Sequence, residues 1–414
     1  MAKKRNIIVG QSGGPTAVIN SSLAGVYKTA KERGFHKVYG MLHGIQGFLD
    51  EQYVDLATQI HSDMDIELLK RTPSAFLGSC RYKLPEIHEN SEIYEKIFQI
   101  LDKLQIEAFI YIGGNDSMDT IKKLSDYAII KGHTQKFLGV PKTIDNDLAL
   151  TDHTPGFGSA AKYIAASTKE IIRDALGLTY NDKEAITILE IMGRNAGWLT
   201  GATALARTEE CEGPDLIYLP EVVFDVDKFL KHAQELLKKK ESVVIAVSEG
   251  IKLADGRYVS ELSGGADYVD AFGHKQLQGT AAYLANFLRA ETGCKTRSIE
   301  FSTLQRSASH MASRVDVDEA FMVGGAAVKA ADEGDSGKMV VIDRVADDPY
   351  MSAAGIYDVH RIANNEKLVP RNWMNKEGNY VTDEFINYVE PLILGDYQPF
   401  MVNGLPQHLV LKKK

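Results

Sequence analysis

Short uninterrupted apolar runs recur along this chain, each followed by a stretch whose apolar positions return every three or four residues. The runs read as buried parallel strands and the periodic stretches as helices packed on them. Asn6–Val9 is the first such strand, Gln11–Pro15 a glycine-rich turn, and Ala17–Arg33 a helix stopped by Gly34. Ala108–Ile112 runs into Gly113-Gly114-Asn115-Asp116-Ser117, behind which Met118, Ile121, Leu124 and Ala128 mark a helix face. Lys136–Val140, Thr187–Ile191, Val243–Val247 and Ser298–Leu304 complete the strands, with Gly197–Ala206 a further helix. Strand and helix alternating in this way predict an α/β protein with mostly parallel sheets.

At 414 residues the chain is longer than one hydrophobic core usually serves, so two domains are expected. Low-complexity linkers and short repeats are absent, so composition does not mark the boundary. A net charge of −9 argues against a general nucleic-acid surface, and any polyanionic substrate must find local lysines and arginines. No apolar stretch reaches membrane-spanning length. The basic start Met1–Asn6 is followed only by Ile7-Ile8-Val9, too short for a signal sequence. Cys80, Cys211 and Cys294 are distant and odd in number, which suits neither a disulfide framework nor a zinc site. The expected location is the cytoplasm, and the terminal Lys412-Lys413-Lys414 reads as a solvated end.

Every segment with chemical promise follows a strand, where open α/β sheets gather their ligands. Gly113-Gly114 turns a strand into a helix, and the N–H groups and dipole at such a turn suit a phosphate. Pro141-Lys142-Thr143-Ile144-Asp145-Asn146-Asp147 puts a lysine three residues before one aspartate and five before another. Anion cradle, cation, base and metal ligand thus come close together, which is what phosphoryl transfer requires. Gln11-Ser12-Gly13-Gly14-Pro15 suits either a phosphate-contacting turn or a plain one. Phe76–Arg81, Met192-Gly193-Arg194 and Ser248-Glu249-Gly250 each offer one charged side chain, and Arg297 and Arg306 flank the last strand. Paired arginines suit a sugar phosphate through forked contacts.

Taken in order, Ser12-Gly13-Gly14, Phe76–Arg81, Gly113–Ser117, Pro141–Asp147, Met192–Arg194, Glu249, Arg297 and Gln305-Arg306 resemble the phosphofructokinase family from about residue 5 to about 330. The resemblance implies two three-layer α/β domains with the active site in the cleft between them. Residues 1–153 plus about 307–355 would bind the phosphoryl donor. Residues 154–306 plus about 356–414 would bind the sugar phosphate, although similarity fades after about residue 355. ATP-dependent members resemble Gly-Gly-Asp-Gly-Ser and Pro-Gly-Thr-Ile-Asp-Asn-Asp. Here Asp116 and Lys142 replace a glycine in each, as in the pyrophosphate-dependent branch. A carboxylate where a nucleotide α-phosphate would sit fills its space and repels it.

The implied reaction phosphorylates fructose 6-phosphate at its 1-hydroxyl from pyrophosphate, reversibly, as a glycolytic or gluconeogenic step. Asp145 would accept the hydroxyl proton, Lys142 would stabilise the transition state, and Asp116 would select the donor. Gly13, Gly14, Arg81 and Lys142 would hold pyrophosphate. Thr143, Ile144, Asp145, Met192, Gly193, Arg194, Glu249, Arg297, Thr303, Leu304, Gln305 and Arg306 would hold the sugar. Mg²⁺ would lie near Asn115, with Asp147 as second ligand, and Arg297 would reach a neighbouring subunit of a homodimer or homotetramer. Some positions depart from the family: Asn115 replaces an aspartate at the metal, Ala185 an arginine, Thr303 a histidine or tyrosine, and Ala24 an effector-site arginine. The competing readings are an ATP-dependent kinase, a pyrophosphate kinase acting on a sugar such as sedoheptulose 7-phosphate, and a non-catalytic sugar-phosphate-binding subunit.

Overall fold

The computed structural model describes residues 5–177, 184–263, 277 and 279–412. Its two main sheets use β1 (Asn6–Gln11), β2 (Lys37–Met41), β3 (Tyr53–Asp55), β4 (Ile106–Gly113), β5 (Lys136–Pro141), β6 (Ala185–Ile191), β7 (Leu216–Tyr218), β8 (Ser242–Ser248), β9 (Lys295–Glu300), β10 (Lys338–Asp347) and β11 (Tyr350–Asp358). The chain forms two compact units. One comprises residues 1–159, 306–366 and 394–414, the other residues 160–305 and 367–393.

The first unit carries a seven-stranded sheet in the order β11-β10-β5-β4-β1-β2-β3. Its central strands are parallel, and only β3 and β11 at the two edges run antiparallel to their neighbours. Side chains alternate between two faces, and both are buried. Ile7, Val9, Ile110, Leu138 and Val340 point into one core, while Ile8, Phe109, Tyr111, Phe137 and Val341 point into the other. This explains why the strands read as unbroken apolar runs. The helices Ile19–Glu32 and Arg314–Asp332 cover the first face. Ser91–Lys103 and Asn115–Lys131 cover the second. Glycines let the first pair approach closely, since a Cβ on Gly25 would lie 2.1 Å from Phe321 O and one on Gly324 2.1 Å from Ser22 O. From β1 the chain turns to β2 on one side, and β4 then adds on the other. The sheet order therefore switches at the β1–β4 pair, where the first two glycine motifs end their strands.

The second unit carries a four-stranded, all-parallel sheet in the order β7-β8-β6-β9. Its core joins Ile186, Ile188, Val243 and Ile245 with Phe229, Leu284 and Leu288. Two expected elements change. The strand placed over Ser298–Leu304 is β9, and the chain then turns into a short helix at Leu304–Ser307. Arg297 therefore lies within the strand and Arg306 on a helical turn. The helix expected over Gly197–Ala206 is one α turn, Trp198–Gly201, continued as 3-10 turns through Ala206.

The tail divides differently from the expected boundary at about residue 356. Trp373, Phe385 and Tyr388 gather around Trp198 in the second unit, with ring centroids 5.3–6.0 Å from it. Residues 394–414 return to the first unit, where Arg71 donates to Tyr397 Oη at 2.9 Å and Leu409 N to Thr72 Oγ1 at 2.9 Å. Aromatic packing holds one part of the tail; the other combines these hydrogen bonds with Tyr397 packed against Ala17, Val18 and Ala312, and neither has a periodic signature. No helix among the described residues is long and apolar enough to cross a membrane.

Candidate active site

In the first unit, the segments leaving β1, β4 and β5 meet through their backbones. Ser12 N donates to Ile112 O at 2.9 Å, and Lys142 N to Gly113 O at 3.0 Å. Gly13 N reaches Cys80 O at 3.2 Å, and Ser79 Oγ donates to Gly13 O at 2.6 Å. Gly13 has φ +76, the left-handed region that glycine enters freely. A Cβ there would lie 3.2 Å from Lys142 Nζ, and one on Gly14 3.2 Å from Arg306 Nη1. The glycines therefore let two cations approach the backbone.

Lys142 is 3 % exposed and donates to Gly14 O at 2.6 Å. Burial pulls its pKa down to about 8; the nearby Asp145 and Asp147 oppose that fall, and Arg306 and Arg81 add to it. Asp145 and Asp147 are half-buried on either side of Asn146, a fully buried residue at φ +54, which asparagine tolerates. Asp145 N donates to Thr143 Oγ1 at 3.1 Å. Ile144 points into the interior. Thr143 is tied to the chain that follows: Thr143 N donates to Pro155 O at 3.3 Å, and Thr154 Oγ1 to Thr143 O at 2.8 Å. Asp116 sits in the first turn of the Asn115–Lys131 helix, so the helix end that suits an anion already holds a carboxylate.

Two of the expected site residues make contacts that their motifs did not show. Arg306, assigned to the sugar phosphate, lies over Gly14 beside Lys142. Asn115, assigned to the metal, has both ends of its carboxamide bound to backbone. Its Oδ1 accepts Asn364 N at 2.5 Å and its Nδ2 donates to Asn365 O at 2.9 Å. That leaves one lone pair of a neutral oxygen, a poor ligand for Mg²⁺. Among the described residues no three His, Cys, Asp or Glu side chains form a metal cluster. A Mg²⁺ coordinated mainly by phosphate and water needs only one or two carboxylates, and Asp147 fits that need.

The second unit assembles the other expected residues. Ser248 Oγ donates to Gly193 O at 2.6 Å, and Gly250 N to Ser248 Oγ at 3.0 Å. Gly193 N faces Glu249 Oε1 at 3.4 Å, and Met192 N faces Gln305 Oε1 at 3.3 Å. Arg194 is half-buried, and its buried Nε makes no hydrogen bond, so a cation waits for an acceptor. Thr303 and Leu304 are exposed, directly before the buried Gln305. Arg297 is exposed on the edge strand β9 and lies 3.3 Å from Asp174.

Sequence reasoning missed a buried network behind Thr154. His153 lies between Asp152 Oδ2 at 2.8 Å and Glu319 Oε2 at 2.6 Å, and these carboxylates hold its pKa up to about 9 against the opposing effect of burial. Arg344 donates to the same Asp152 Oδ2 that meets His153, and Tyr350 Oη donates to the other oxygen of Glu319, Oε1. Next along, Asp316 accepts Gly156 N and Ser159 N, both at 2.8 Å, and fixes the start of the Phe157–Gly177 helix. The segment Asp152-His153-Thr154 between two apolar stretches was the only signal.

The fold and these motifs define a phosphoryl-transfer protein, and residues 6–331 match the family described as Phosphofructokinase; the chain belongs to that family. It is 40% identical over 412 residues to a pyrophosphate--fructose 6-phosphate 1-phosphotransferase of Halomonas elongata, covering 99% of this chain and 97% of that one. A protein of the same name from Xanthomonas campestris pv. campestris is 41% identical over 408 residues, covering 98% and 96%. Among solved structures, the pyrophosphate-dependent phosphofructokinase of Nitrosospira multiformis superposes with a TM-score of 0.88 at 37% identity, covering 100% of this chain and 99% of that one.

Proposed function

We infer that this chain is a pyrophosphate-dependent 6-phosphofructokinase, converting fructose 6-phosphate and pyrophosphate into fructose 1,6-bisphosphate and phosphate, reversibly. The observation that carries this reading is the buried Lys142 against Gly13-Gly14, with the Asp116 carboxylate on the neighbouring helix end. The full-length relatives with that printed activity support it.

In the forward direction the sugar's C1 hydroxyl oxygen attacks one phosphorus of pyrophosphate. The hydroxyl proton passes to the Asp145 carboxylate, a P–O bond forms, the bridging P–O bond breaks, and phosphate leaves. Lys142, Arg81 and Arg306 supply positive charge along that path, and the backbone at Gly13-Gly14 lets the donor approach closely. Mg²⁺, when bound, would neutralise phosphate oxygens, and Asp147 would hold it. Asp116 repels a nucleotide's inner phosphate. Arg194, with its unmatched Nε, would take the sugar's phosphate together with Met192, Gly193, Glu249 and Gln305. Thr143, Ile144, Thr303 and Leu304 would also serve the sugar. Residues 1–159 with 306–366 would be the donor-binding domain, and residues 160–305 the sugar-binding domain. Arg297, exposed on an edge strand, would serve a neighbouring copy in a homodimer or homotetramer in the cytoplasm.

The test is product formation from fructose 6-phosphate and Mg²⁺ with pyrophosphate or with ATP, repeated with sedoheptulose 7-phosphate. Fructose 1,6-bisphosphate with pyrophosphate alone is expected. Product with ATP alone would overturn the donor assignment, and a marked preference for the seven-carbon sugar would overturn the substrate.

A further inference from the structure

Residues 359–366 form a strap along the Asn115–Lys131 helix, clasped at three points. His360 Nε2 meets Asp126 Oδ1 at 2.9 Å. Asn364 Nδ2 donates to Asp119 Oδ1 at 3.2 Å. The Asn115 carboxamide takes Asn364 N and gives to Asn365 O. Positions 115, 119 and 126 differ by four and seven, so they share one face of the helix. Val359, Ile362 and Ala363 secure the strap from below by entering the core beside Met118 and Ile121. One residue past the Asn115 clasp, Glu366 pairs in an antiparallel bridge with the buried Leu148, directly after Asp147.

We propose that Asn115 is a positioning residue: through the strap it sets the Asp145–Leu148 loop against the donor-side helix end, and it is not a ligand of the metal. The chemistry of the clasp requires an amide. It must accept from one backbone N–H and donate to the next backbone carbonyl, and an aspartate can only accept. A carboxylate at 115 would keep the bond from Asn364 N but face Asn365 O without a proton, and the strap would lift. This explains why a neutral residue stands where ATP-dependent members carry an acid.

The proposal rests on the pyrophosphate-kinase reading for its catalytic consequence, but not for its structural one. Asn115→Asp and Asn115→Ala should each speed amide hydrogen exchange in residues 143–150 of the metal-free, ligand-free protein by about threefold or more, because a local closing contact is lost. In assays, kcat should fall by about tenfold from misplacement of Asp145, with the Mg²⁺ concentration for half-maximal rate unchanged within about twofold. Asn364→Gly keeps the left-handed backbone and the Asn115 clasp but drops the Asp119 bond, and should give a smaller rise in exchange at the same residues. It keeps the test open should the Asn115 variants fold poorly. Wild-type exchange in residues 143–150 of both folded variants would overturn the strap. So would an Asn115→Asp enzyme that needs about tenfold less Mg²⁺, because the new carboxylate would then be a ligand. An inactive wild type would sink the functional reading and leave the exchange result to judge the strap alone.

Discussion

The two units treat their functional cations in opposite ways. On the donor side Lys142 is buried, hydrogen-bonded to Gly14 O, and already feels the carboxylates of Asp145 and Asp147. On the other side Arg194 is half-buried with a buried Nε that makes no hydrogen bond. The first arrangement is preorganised: charge is fixed before the donor arrives, so little reorganisation is needed as the reaction proceeds. The second is an open valence, since a buried donor left unmatched costs about 1–3 kcal/mol until a ligand satisfies it. On the proposed function, one side would stabilise changing charge and the other would recognise a constant one. Substitutions on the donor side should therefore lower kcat, and those at Arg194 should raise KM.

Asp145→Ala carries the largest effect. Losing a positioned base lowers kcat by about 10²–10⁴, and circular dichroism should show an unchanged fold. A folded variant with near-normal turnover would remove Asp145 from the mechanism. Lys142→Met should lower kcat by about 10²–10³ in steady-state assays, as when one preorganised charge donor is removed. Arg194→Ala should raise KM for fructose 6-phosphate by about 10–100-fold, from losing a charged hydrogen bond, with KM for pyrophosphate nearly unchanged. If kcat fell instead, the contrast between the two sides would collapse.

The pH dependence separates the sides more finely. Lys142 in the free protein loses its proton near pH 8, well below an ordinary lysine. kcat/KM for pyrophosphate should thus decline as pH rises through about 8, while fructose 6-phosphate binding, measured alone by calorimetry, should not follow that limb. The smallest effect concerns stability. The folded pKa of His153 lies near 9, above its ordinary value of 6.5. Its stabilising contribution is complete below pH 6.5 and is lost as pH rises through about 9. Wild type should therefore lose more melting temperature over that interval than His153→Gln, and equal losses would show that His153 does not hold this network together.

What the sequence revealed and what it hid follow from the range of each interaction. β1, β4, β5, β6 and β8 were legible because both of their faces are buried and the runs are unbroken. β9 was placed three residues late, because Thr296 is its only fully buried side chain and the apolar signal was shifted toward Phe301 and Leu304. Gly13-Gly14, Asp116 and Lys142 were legible as local motifs at strand ends. Arg306 beside Gly14 and Asn115 beneath residues 364–365 were not, because contacts across some 250 residues or more leave no periodic trace. The tail's division has the same cause: Trp373 and Tyr397 look alike in sequence, and only their partners, Trp198 and Arg71, assign them to different units.

The central claim is that Asp116 and Lys142 choose the donor. Its most direct test is the ratio of kcat/KM for pyrophosphate to that for ATP, measured side by side in wild type and in Asp116→Gly/Lys142→Gly. The ratio should strongly favour pyrophosphate in the wild type and fall by about 10²-fold or more in the double variant, which loses both a preorganised charge and the repulsive carboxylate. A double variant that keeps the wild-type ratio would contradict it.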